Sequence, residues 1–458
     1  MLFYLGVILS VYAIVFSLPG IFGYIYSEYV PLSWFGVTVF SFFMGIMLMF
    51  AKRRDISMRG SVLLILLSWF CLSILSALPF WLDNAAGLTF LQAWFESTSA
   101  ITTTGLSVVT WIEDWPHYLQ FYHQFLQYLG GMGVLLIVMT LLPMVGSGAF
   151  SLFKTQVGDA DDKLMPKFRR IAQWLMICYF FLSMLALIAY MLVGMPFFDA
   201  VCWMFATVST GGFVVHSKWL TDPGCQIVSV VVMFAAATSF NLHFKALRQG
   251  SLRVYPEDKE WCWWVMVTLA SLFIIWLEGA WFGVRESFNH TIFQVMSLVS
   301  STGYLVPHEW HLGRHLIVTL VILGYIGGCS GSTSSGVKWG RIYMIKELIS
   351  GAYAGLLAPH LVLKNRPRLQ LITLILAYVV LLFFTVFAAS FILAMSGIDS
   401  SDAFDLSWTS TTNLGAVLGQ ALMRCTDFQL TVLTAAMLIG RVECVTFFII
   451  FLRRFWVR

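Results

Sequence analysis

The chain has 458 residues, of which 59% are hydrophobic and only 11% are charged, and its formal net charge is +4. Soluble proteins carry roughly 25% charged residues, so this composition excludes a set of water-exposed domains and predicts an all-α integral membrane protein. The small net charge, without a long basic run, gives no support for nucleic-acid binding. The eight cysteines show no metal-ligand spacing, so they are interpreted as small core residues.

Long apolar runs predict ten transmembrane helices, because about 20 apolar residues cross a bilayer core. The first run reaches Glu28 without a basic start, so it is interpreted as a spanning helix and not as a cleaved signal. The predicted spans cover residues 1–27, 29–51, 60–82, 115–153, 171–198, 223–244, 261–277 (continuing to Trp281), 315–337, 369–398 and 428–452.

Four further segments, each between two of the last eight spans, do not fit as lipid-facing helices. They cover residues 86–110, 196–215, 286–306 and 400–418 and are rich in Ser, Thr, Gly and Asn near their ends. Irregular backbone at membrane depth is tolerated where it is buried in protein or lines water. Each segment is therefore predicted to enter as a short helix and to leave as an extended loop.

The distribution of Lys and Arg predicts the orientation, because basic residues accumulate on the cytoplasmic side. One face collects 22 of the 27 basic residues, so both termini are expected to be cytoplasmic. Fourteen of the 23 acidic residues lie on the opposite face. A negative outer mouth would concentrate cations, although the acids could also simply fill outer loops that lack Lys and Arg.

The four re-entrant segments resemble one another. They read SAITTTGLS, FATVSTGGF, SLVSSTGYL and TSTTNLGAV when aligned on Gly105, Gly211, Gly303 and Gly415, which are spaced 106, 92 and 112 residues apart. The repeat unit is thus helix, re-entrant loop, helix. The predicted filter residues are Thr103, Thr104, Gly105, Ser209, Thr210, Gly211, Ser301, Thr302, Gly303, Asn413, Leu414 and Gly415.

This pattern favours a filter for monovalent cations. Backbone carbonyls of an extended chain can replace the hydration shell of a cation, and glycine permits the required dihedral angles. Four short helices that end near the membrane centre add negative potential there. No acidic residue occupies the filter positions, which argues against a divalent-ion site. The alternative is that these Gly-Thr clusters are ordinary loop punctuation.

The eighth predicted span contains a cluster of glycines that should break the helix. Residues 327–336 read GGCSGSTSSG, and each glycine costs about 1 kcal/mol in a helix. A flexible loop below the filter is predicted, with a small-residue packing face as the alternative. The predicted gate residues are Gly327, Gly328, Ser330, Gly331, Ser332, Thr333, Gly336 and Arg441.

Arg441 lies within the last predicted span. A charge at the centre of a span costs about 2.5–3.5 kcal/mol, so it should face the protein interior and have partners. Glu443 is two residues away and points to another side of the helix. Carbonyls or hydroxyls of residues 327–336 are therefore the expected partners, and a salt bridge to Glu443 or Glu96 is the alternative.

With these features the chain resembles the TrkH/KtrB/HKT superfamily of potassium transporters, and within it the bacterial TrkH branch. The resemblance covers essentially the whole chain. Its motifs, in chain order, are TTTG at 102–105, YLGGMGVLLIVMTLLPMVGSG at 128–148, FDAVCWMFATVSTGGF at 198–213, GGCSGSTSSGVK at 327–338, TTNLG at 411–415 and GRVE at 440–443.

The resemblance implies four pseudo-symmetric helix–pore-loop–helix units around one pore, preceded by two extra helices, in a homodimer in the bacterial inner membrane. The implied division is residues 1–51 for the extra helices and 52–155, 156–250, 251–350 and 351–458 for the units. It also implies K⁺ as the transported ion, a gate at Gly327–Gly336 contacted by Arg441, and cytosolic TrkA-type regulatory subunits that bind nucleotides. Leu414, in place of a small hydroxyl residue, departs from the other loops.

Two alternatives remain. A polytopic membrane enzyme would need a catalytic or metal site, for which His308, His311 and His315 in an outer loop are poor candidates because their spacing does not form HExxH. An ion-coupled sodium/potassium symporter of the same fold is the other, although parallel repeats favour a pore over the inverted repeats of many secondary transporters. The sequence predicts no enzyme activity and no organic cofactor.

Overall fold

The computed structural model describes residues 1–52, 58–110, 112–141, 164–282, 288–305, 323–357, 369–415 and 420–456. Within these ranges the regular secondary structure is helical and contains no β-strand. The all-α class predicted from composition is therefore confirmed for this part of the chain.

The principal helices are α1 (Leu2–Val15), α2 (Leu18–Ile25), α3 (Leu32–Met49), α4 (Met58–Leu82), α5 (Phe90–Ile101), α6 (His117–Leu141), α7 (Leu164–Leu192), α8 (Phe197–Val208), α9 (Pro223–Ala237), α10 (Phe240–Gln249), α11 (Lys259–Phe282), α12 (Phe288–Val299), α13 (Trp339–Leu357), α14 (Leu369–Met395), α15 (Ser400–Thr412), α16 (Asp427–Arg441) and α17 (Cys444–Phe448). Shorter helical turns cover Ile112–Asp114, Lys218–Thr221, Val254–Glu257, Gln420–Arg424, Ile449–Phe451 and Arg453–Trp456.

Six helices of the described ranges are long and apolar enough to cross a membrane, and two bent pairs raise this number to eight if each counts as one span. The six are Leu2–Ile25, Leu32–Met49, Arg59–Leu82, Ala172–Leu192, Lys259–Leu277 and Thr373–Met395. The predicted spans 115–153 and 315–337 extend into residues 142–163 and 306–322, which lie outside the described residues. The count of ten spans therefore stays a prediction.

Two predicted spans are not straight. The helix axis turns by 92° between α9 and α10, and by 104° between α16 and the segment Cys444–Phe451. Each of the runs 223–244 and 428–452 is therefore two helices joined at a sharp turn, and whether each pair forms one span stays a prediction. The 15-residue helices α9 and α16 are each about 22 Å long, which is shorter than a bilayer core of ~30 Å. Hydropathy could not reveal these turns, because side chains and backbone from distant segments hold them.

The short helices α5, α8, α12 and α15 occupy the centre of the bundle, and most of their residues are buried. As predicted, each is followed by a non-helical loop. We call these loop 1 (residues 102–108), loop 2 (209–215), loop 3 (300–305) and loop 4 (413–415).

Packing relates the short helices in a fixed order. α5 lies between α4 and α6 and also contacts α16, α8 contacts α6, and α12 contacts α9. Neighbouring loops in space are thus 4 and 1, 1 and 2, and 2 and 3. The N-terminal helices lie on the outside of this assembly, where α1 pairs with α3 and both contact α4.

Candidate functional site

The four short helices end in the same backbone geometry. In each, a backbone N–H just past the end of the helix donates to the carbonyl of the residue five positions earlier. The four bonds are Thr104 N to Ser99 O (2.8 Å), Gly211 N to Ala206 O (2.8 Å), Thr302 N to Ser297 O (2.9 Å) and Leu414 N to Thr409 O (3.0 Å). This is the Schellman helix end, whose turning residue is usually glycine.

Here the turning residue is never glycine. Thr103, Thr210, Ser301 and Asn413 take left-handed φ values of 54°, 52°, 58° and 53°. Such angles are uncommon for residues other than glycine and are sterically unfavourable for a β-branched residue such as threonine. Four equivalent strained residues persist only where the surrounding structure holds them, which is typical of functional sites.

This geometry corrects the alignment of loop 2. Within the four loops, the glycines with positive φ are Gly105 (81°), Gly212 (80°), Gly303 (85°) and Gly415 (64°). The counterpart of Gly105 is therefore Gly212, and the predicted set Ser209-Thr210-Gly211 shifts by one residue. Ser209 belongs to the helix end, where its hydroxyl donates to Phe205 O at 2.6 Å. Two consecutive glycines in FATVSTGGF make the register undecidable from sequence.

The four loops form a ring. Three of the glycines with positive φ lie directly against a backbone carbonyl oxygen of the neighbouring loop. The pairs are Gly105 with Gly211, Gly212 with Thr302 and Gly415 with Thr104, and an added Cβ would lie 2.3, 2.0 and 2.1 Å from the respective oxygen. Any side chain at these glycines would displace backbone, so the ring requires glycine for space as well as for φ.

Other contacts complete the ring. The Asn413 side chain donates from Nδ2 to Thr104 Oγ1 at 2.8 Å, which joins loop 4 to loop 1. Between loops 3 and 4, the Leu414 side chain packs close to Gly324, and a Cβ added to Gly324 would lie 3.1 Å from it. Leu414 is fully buried, so this departure from the hydroxyl pattern places an apolar contact behind the ring and not a ligand within it.

Exposure distinguishes the backbone of the ring from its side chains. Gly105, Gly212, Gly303 and Gly415 are each partly exposed, whereas Gly211 is buried. The predicted side chains are buried, and the hydroxyls of Thr104 and Thr302 are held by neighbours on the same loop, Thr102 and Ser300, at 2.7 Å each. The accessible surface of the ring is thus mainly backbone at the four glycines.

Residues 327–338, which we call the glycine loop, interrupt the helix that includes residues 323–326. The predicted break is confirmed. Gly327, Gly331 and Gly336 have positive φ values of 75°, 77° and 88°. A Cβ on Gly327 would lie 2.0 Å from Ser335 O, and one on Gly336 would lie 2.5 Å from Tyr325 O. A helical packing face, the alternative, is therefore excluded at these positions.

The glycine loop lies against loops 2 and 3. Ser301 Oγ contacts Ser334 Oγ at 2.7 Å and accepts a hydrogen bond from Ser335 N at 2.7 Å. Thr333 Oγ1 lies 3.0 Å from Val208 O, a terminal carbonyl of α8. Helix ends leave carbonyls without helical partners, so the glycine loop caps the short helix that carries loop 2.

The same loop fills the turn between α9 and α10. The final carbonyls of α9 accept hydrogen bonds from it, with Cys329 N to Ala237 O at 2.9 Å and Thr333 N to Ala236 O at 3.3 Å. In return, Phe240 N at the start of α10 donates to Gly331 O at 3.0 Å. The 92° turn is therefore stabilised by backbone groups about 90 residues away in the chain.

The remaining predicted residues of the loop have local partners. Ser332 Oγ donates to Cys329 O at 2.6 Å, and Gly328 N donates to Ser334 Oγ at 2.7 Å. Ser330 N donates to a carboxylate oxygen of Glu260 on α11. The glycine loop thus has bonds to α8, α9, α10, α11 and loop 3.

Arg441 is buried and points to the glycine loop. Its Nη1 donates to Ser335 Oγ at 2.9 Å, and its Nη2 donates to Gly130 O on α6 at 3.2 Å. The predicted loop partner is confirmed. The alternative salt bridges are wrong, because Glu443 pairs with Arg341 at 2.5 Å and Glu96 accepts from His123 at 2.8 Å.

Several residues of the site were not predicted. A Cβ on Gly130 would lie 1.8 Å from Ile101 O, and a Cβ on Gly440 would lie 1.8 Å from Thr411 O. These equivalent contacts let α6 approach the end of α5, and α16 the end of α15. Gln127 was also missed, and its Oε1 occupies the space beside Gly211. The paired glycines in YLGGMG were the available signal for the first of these.

Carboxylates and histidines meet on the side of the bundle predicted to face outward. His117 Nδ1 lies 2.7 Å from Glu28, and His216 Nδ1 lies 3.2 Å from Asp199. Glu113 accepts hydrogen bonds from the backbone N–H and hydroxyl of Ser217, and the N–H bond in particular lowers its pKa. A recess of about 530 Å³ opens beside Glu28, Glu113 and His117.

Among the described residues, no group of three or more His, Cys, Asp or Glu side chains could hold a metal ion. His308, His311 and His315 lie outside the described residues. The described site consists of four loops in close backbone contact and of the buried glycine loop that lies against loops 2 and 3.

A sequence profile of the TrkH family, described as cation transport proteins, matches residues 35–278 and 261–456. These matches cover most of the chain. The chain belongs to the TrkH family. This is a family of transport proteins, so the alternative of a membrane enzyme is set aside.

Relatives of this family align over nearly the whole chain. The Trk system potassium uptake protein TrkH of Halomonas elongata is 31% identical over 421 residues, covering 88% of this chain and 87% of the relative. The protein of the same name from Escherichia coli K12 is 28% identical over 472 residues, covering 98% of both. The crystal structure of the potassium transporter TrkH from Vibrio parahaemolyticus superposes with a TM-score of 0.90 at 26% identity, covering 100% of this chain and 99% of that one.

Proposed function

We propose that this chain is a potassium uptake protein in which K⁺ crosses the membrane along the axis of the four-loop ring. The observation that carries the proposal is the set of four partly exposed glycines with positive φ, each with a left-handed residue two positions before it. The corrected filter consists of residues 103–105, 210–212, 301–303 and 413–415. Several relatives are named for potassium uptake, which supports K⁺ as the ion.

The electrostatics of the ring favour a monovalent cation. The C-terminal ends of α5, α8, α12 and α15 converge on it, and each carries the equivalent of about half a negative charge. No carboxylate side chain belongs to residues 103–105, 210–212, 301–303 or 413–415. Neutral carbonyl ligands with this background potential suit K⁺ better than a strongly hydrated divalent ion.

The glycine loop is proposed as the gate. It lies between the ring and Arg441, with bonds to Ser301 of loop 3 and to the end of α8. A loop in this position blocks the axis below the ring, and Arg441 adds a buried positive charge that repels cations. Release of the loop would open the pathway.

The finer architecture belongs to the same proposal. It has ten spans, with two extra helices at residues 1–51 and four units at 52–155, 156–250, 251–350 and 351–458. We place the chain in a bacterial inner membrane with both termini in the cytoplasm, as a homodimer with one pore in each protomer. The excess of Lys and Arg on the side of α10 and α13 supports this orientation.

A cytosolic nucleotide-binding subunit of the TrkA type is the proposed regulator. The basic segments at 244–259 and 338–368 are its proposed docking surface, and residues 358–368 of the second lie outside the described residues. α10 follows the turn that the glycine loop fills, so a partner bound to α10 would act on the gate through that turn. Charge reversal in both segments should abolish capture of the regulator if this surface binds it.

The test is rubidium-86 uptake in cells that lack their own potassium uptake systems, with a cognate regulator present. We expect uptake that K⁺ inhibits more strongly than Na⁺, and loss or sodium permeability in Gly105→Ser. Uptake that requires Na⁺ or follows the proton gradient would instead identify the coupled symporter. A well-expressed chain without uptake would contradict the proposal.

A further inference from the structure

A buried carboxylate lies behind loop 1 and takes no part in the gate. Glu96 on α5 is fully buried. Its Oε1 accepts from Ser107 Oγ and from His123 Nε2 at 2.8 Å each, and its Oε2 accepts from Val108 N at 3.0 Å. Two of these donors belong to the segment by which the chain leaves the ring, so the carboxylate fixes that segment to α5.

The contacts around His123 indicate how the proton is arranged. With Nε2–H donated to Glu96, the other ring nitrogen, Nδ1, has no hydrogen-bond partner among the described residues. A second N–H on this ring would be buried without an acceptor, which costs about 1–3 kcal/mol. The geometry therefore has His123 present one N–H to the carboxylate, which accepts three hydrogen bonds in all.

His123 also connects the carboxylate to loop 2. Its ring stacks on Phe213 at a centroid distance of 4.0 Å, and the edges of Phe80 and Trp115 complete an aromatic enclosure. Phe213 directly follows Gly212 and donates its N–H to Gln127 at 3.3 Å. One hydrogen-bonded pair thus braces the exits of loops 1 and 2.

The charge lies near the ring without belonging to it. Val108 is three residues after Gly105, and an extended chain spans at most about 3.6 Å per residue, so the carboxylate bonds to backbone within about 11 Å of the ring. Buried charges act over such distances because the protein interior screens them less than water does. Glu96 is not proposed as a ligand, because its side chain is fully buried, whereas the accessible surface of the ring is mainly backbone at the four glycines.

We propose that Glu96, oriented by His123, is a positioning residue for ion selection: it holds loops 1 and 2 and supplies a fixed negative charge behind them. This inference rests on the proposed potassium uptake. Its consequence is that removal of the charge weakens cation affinity and discrimination against Na⁺, and does not merely lower the amount of folded protein.

The experiment measures the KM and maximal rate of rubidium-86 uptake, its inhibition by Na⁺ and the membrane abundance of each variant. Glu96→Gln keeps the shape and removes the charge, and we expect its KM to rise about tenfold with stronger inhibition by Na⁺. Asp83→Asn is the matched control. Asp83 is a buried carboxylate of the same unit, but it accepts hydrogen bonds from Tyr118 and Ala85, neither of which belongs to loops 1 to 4. Its KM should match that of the wild type.

A second pair keeps the proposal testable if Glu96→Gln folds poorly. His123→Gln retains an N–H donor for Glu96, whereas His123→Leu does not, so only the leucine variant should raise KM. Equal KM values and equal inhibition by Na⁺ in both members of the pair, or a change confined to maximal rate, would overturn the inference. Absence of uptake by the wild type would refute the proposed function itself, which separates the two failures.

Discussion

Arg441 Nη1 donates a hydrogen bond of 2.9 Å to Ser335 Oγ across 106 residues of chain. The same guanidinium reaches Gly130 O on α6, so it joins α16, α6 and the glycine loop. A charge that is otherwise unfavourable inside a membrane is retained here with two acceptors from different parts of the bundle. This side chain therefore ties the glycine loop to α6 and α16.

Replacing Arg441 by methionine should release the loop. A hydrogen bond to a charged group contributes about 1.5–3 kcal/mol, so Arg441→Met should raise rubidium-86 flux without the regulator by about tenfold or more. Ser335→Ala is the control, because it removes one acceptor and leaves the bond to Gly130, and its flux should rise less. Flux in Arg441→Met at or below the wild-type level, at equal abundance, would contradict a closing role for this residue.

The two glycines of loop 2 should respond differently to alanine. In Gly212→Ala the new Cβ meets Thr302 O at 2.0 Å with φ at +80°, and both effects disturb backbone. A left-handed conformation alone costs roughly 1–2 kcal/mol, so uptake should fall by at least about tenfold.

Gly211→Ala is the matched variant for this comparison. Its Cβ meets the end of the Gln127 side chain, which can move, so much of the uptake should remain. Measured uptake in both variants at equal abundance tests the corrected register. The reverse order of sensitivity would restore the alignment on Gly211.

The hydroxyl of Thr333 should stabilise the closed loop. It lies 3.0 Å from Val208 O and 3.1 Å from Ala236 O. Thr333→Val keeps the volume and removes the one O–H that these two carbonyls share, so the free energy of unfolding should fall by about 1–3 kcal/mol and flux without the regulator should rise. Thr333→Ser keeps the hydroxyl and should resemble the wild type. Identical behaviour of Val and Ser would show that the hydroxyl does not hold the loop.

Asn413 allows strain and hydrogen bonding to be separated. Its φ is +53° and its amide donates to Thr104 Oγ1 at 2.8 Å. Asn413→Gly relieves the backbone and removes the hydrogen bond, whereas Asn413→Ala removes the hydrogen bond and keeps the strain. We expect the glycine variant to be more stable than the alanine variant by about 1–2 kcal/mol, as judged by thermal unfolding. Greater stability of alanine would mean that the left-handed conformation is not retained.

Hydropathy and charge were sufficient for the class of fold and for the position of most long helices. They failed at Ala237 and Arg441, where a continuous apolar run turns sharply. The turn after Ala237 depends on acceptors and donors of the glycine loop, such as Gly331 O and Cys329 N. Composition within a window cannot contain such information, because the bonding partners are distant in the chain.

The sequence predicted those parts of the candidate site that recur in the four loops. Recurrence of a glycine near hydroxyl residues located all four loops, although Asn413 and Leu414 directly precede it in loop 4. The unusual charge of Arg441 predicted its contact with residues 327–336. The register at Gly211 and Gly212 required the backbone dihedrals. The pair of Glu96 with His123 has no local signature, because the residues are 27 positions apart on different helices.

The way in which the glycine loop occupies the turn between α9 and α10 has a consequence for opening. If the loop withdraws, Ala236 O, Ala237 O and Phe240 N lose their partners at once, and buried groups of this kind need replacement. Solvent entering the pathway is the available substitute, so opening of the proposed gate would exchange loop bonds for bonds to water. Conductance should therefore decline when an impermeant osmolyte lowers the activity of water, even at constant ion gradient.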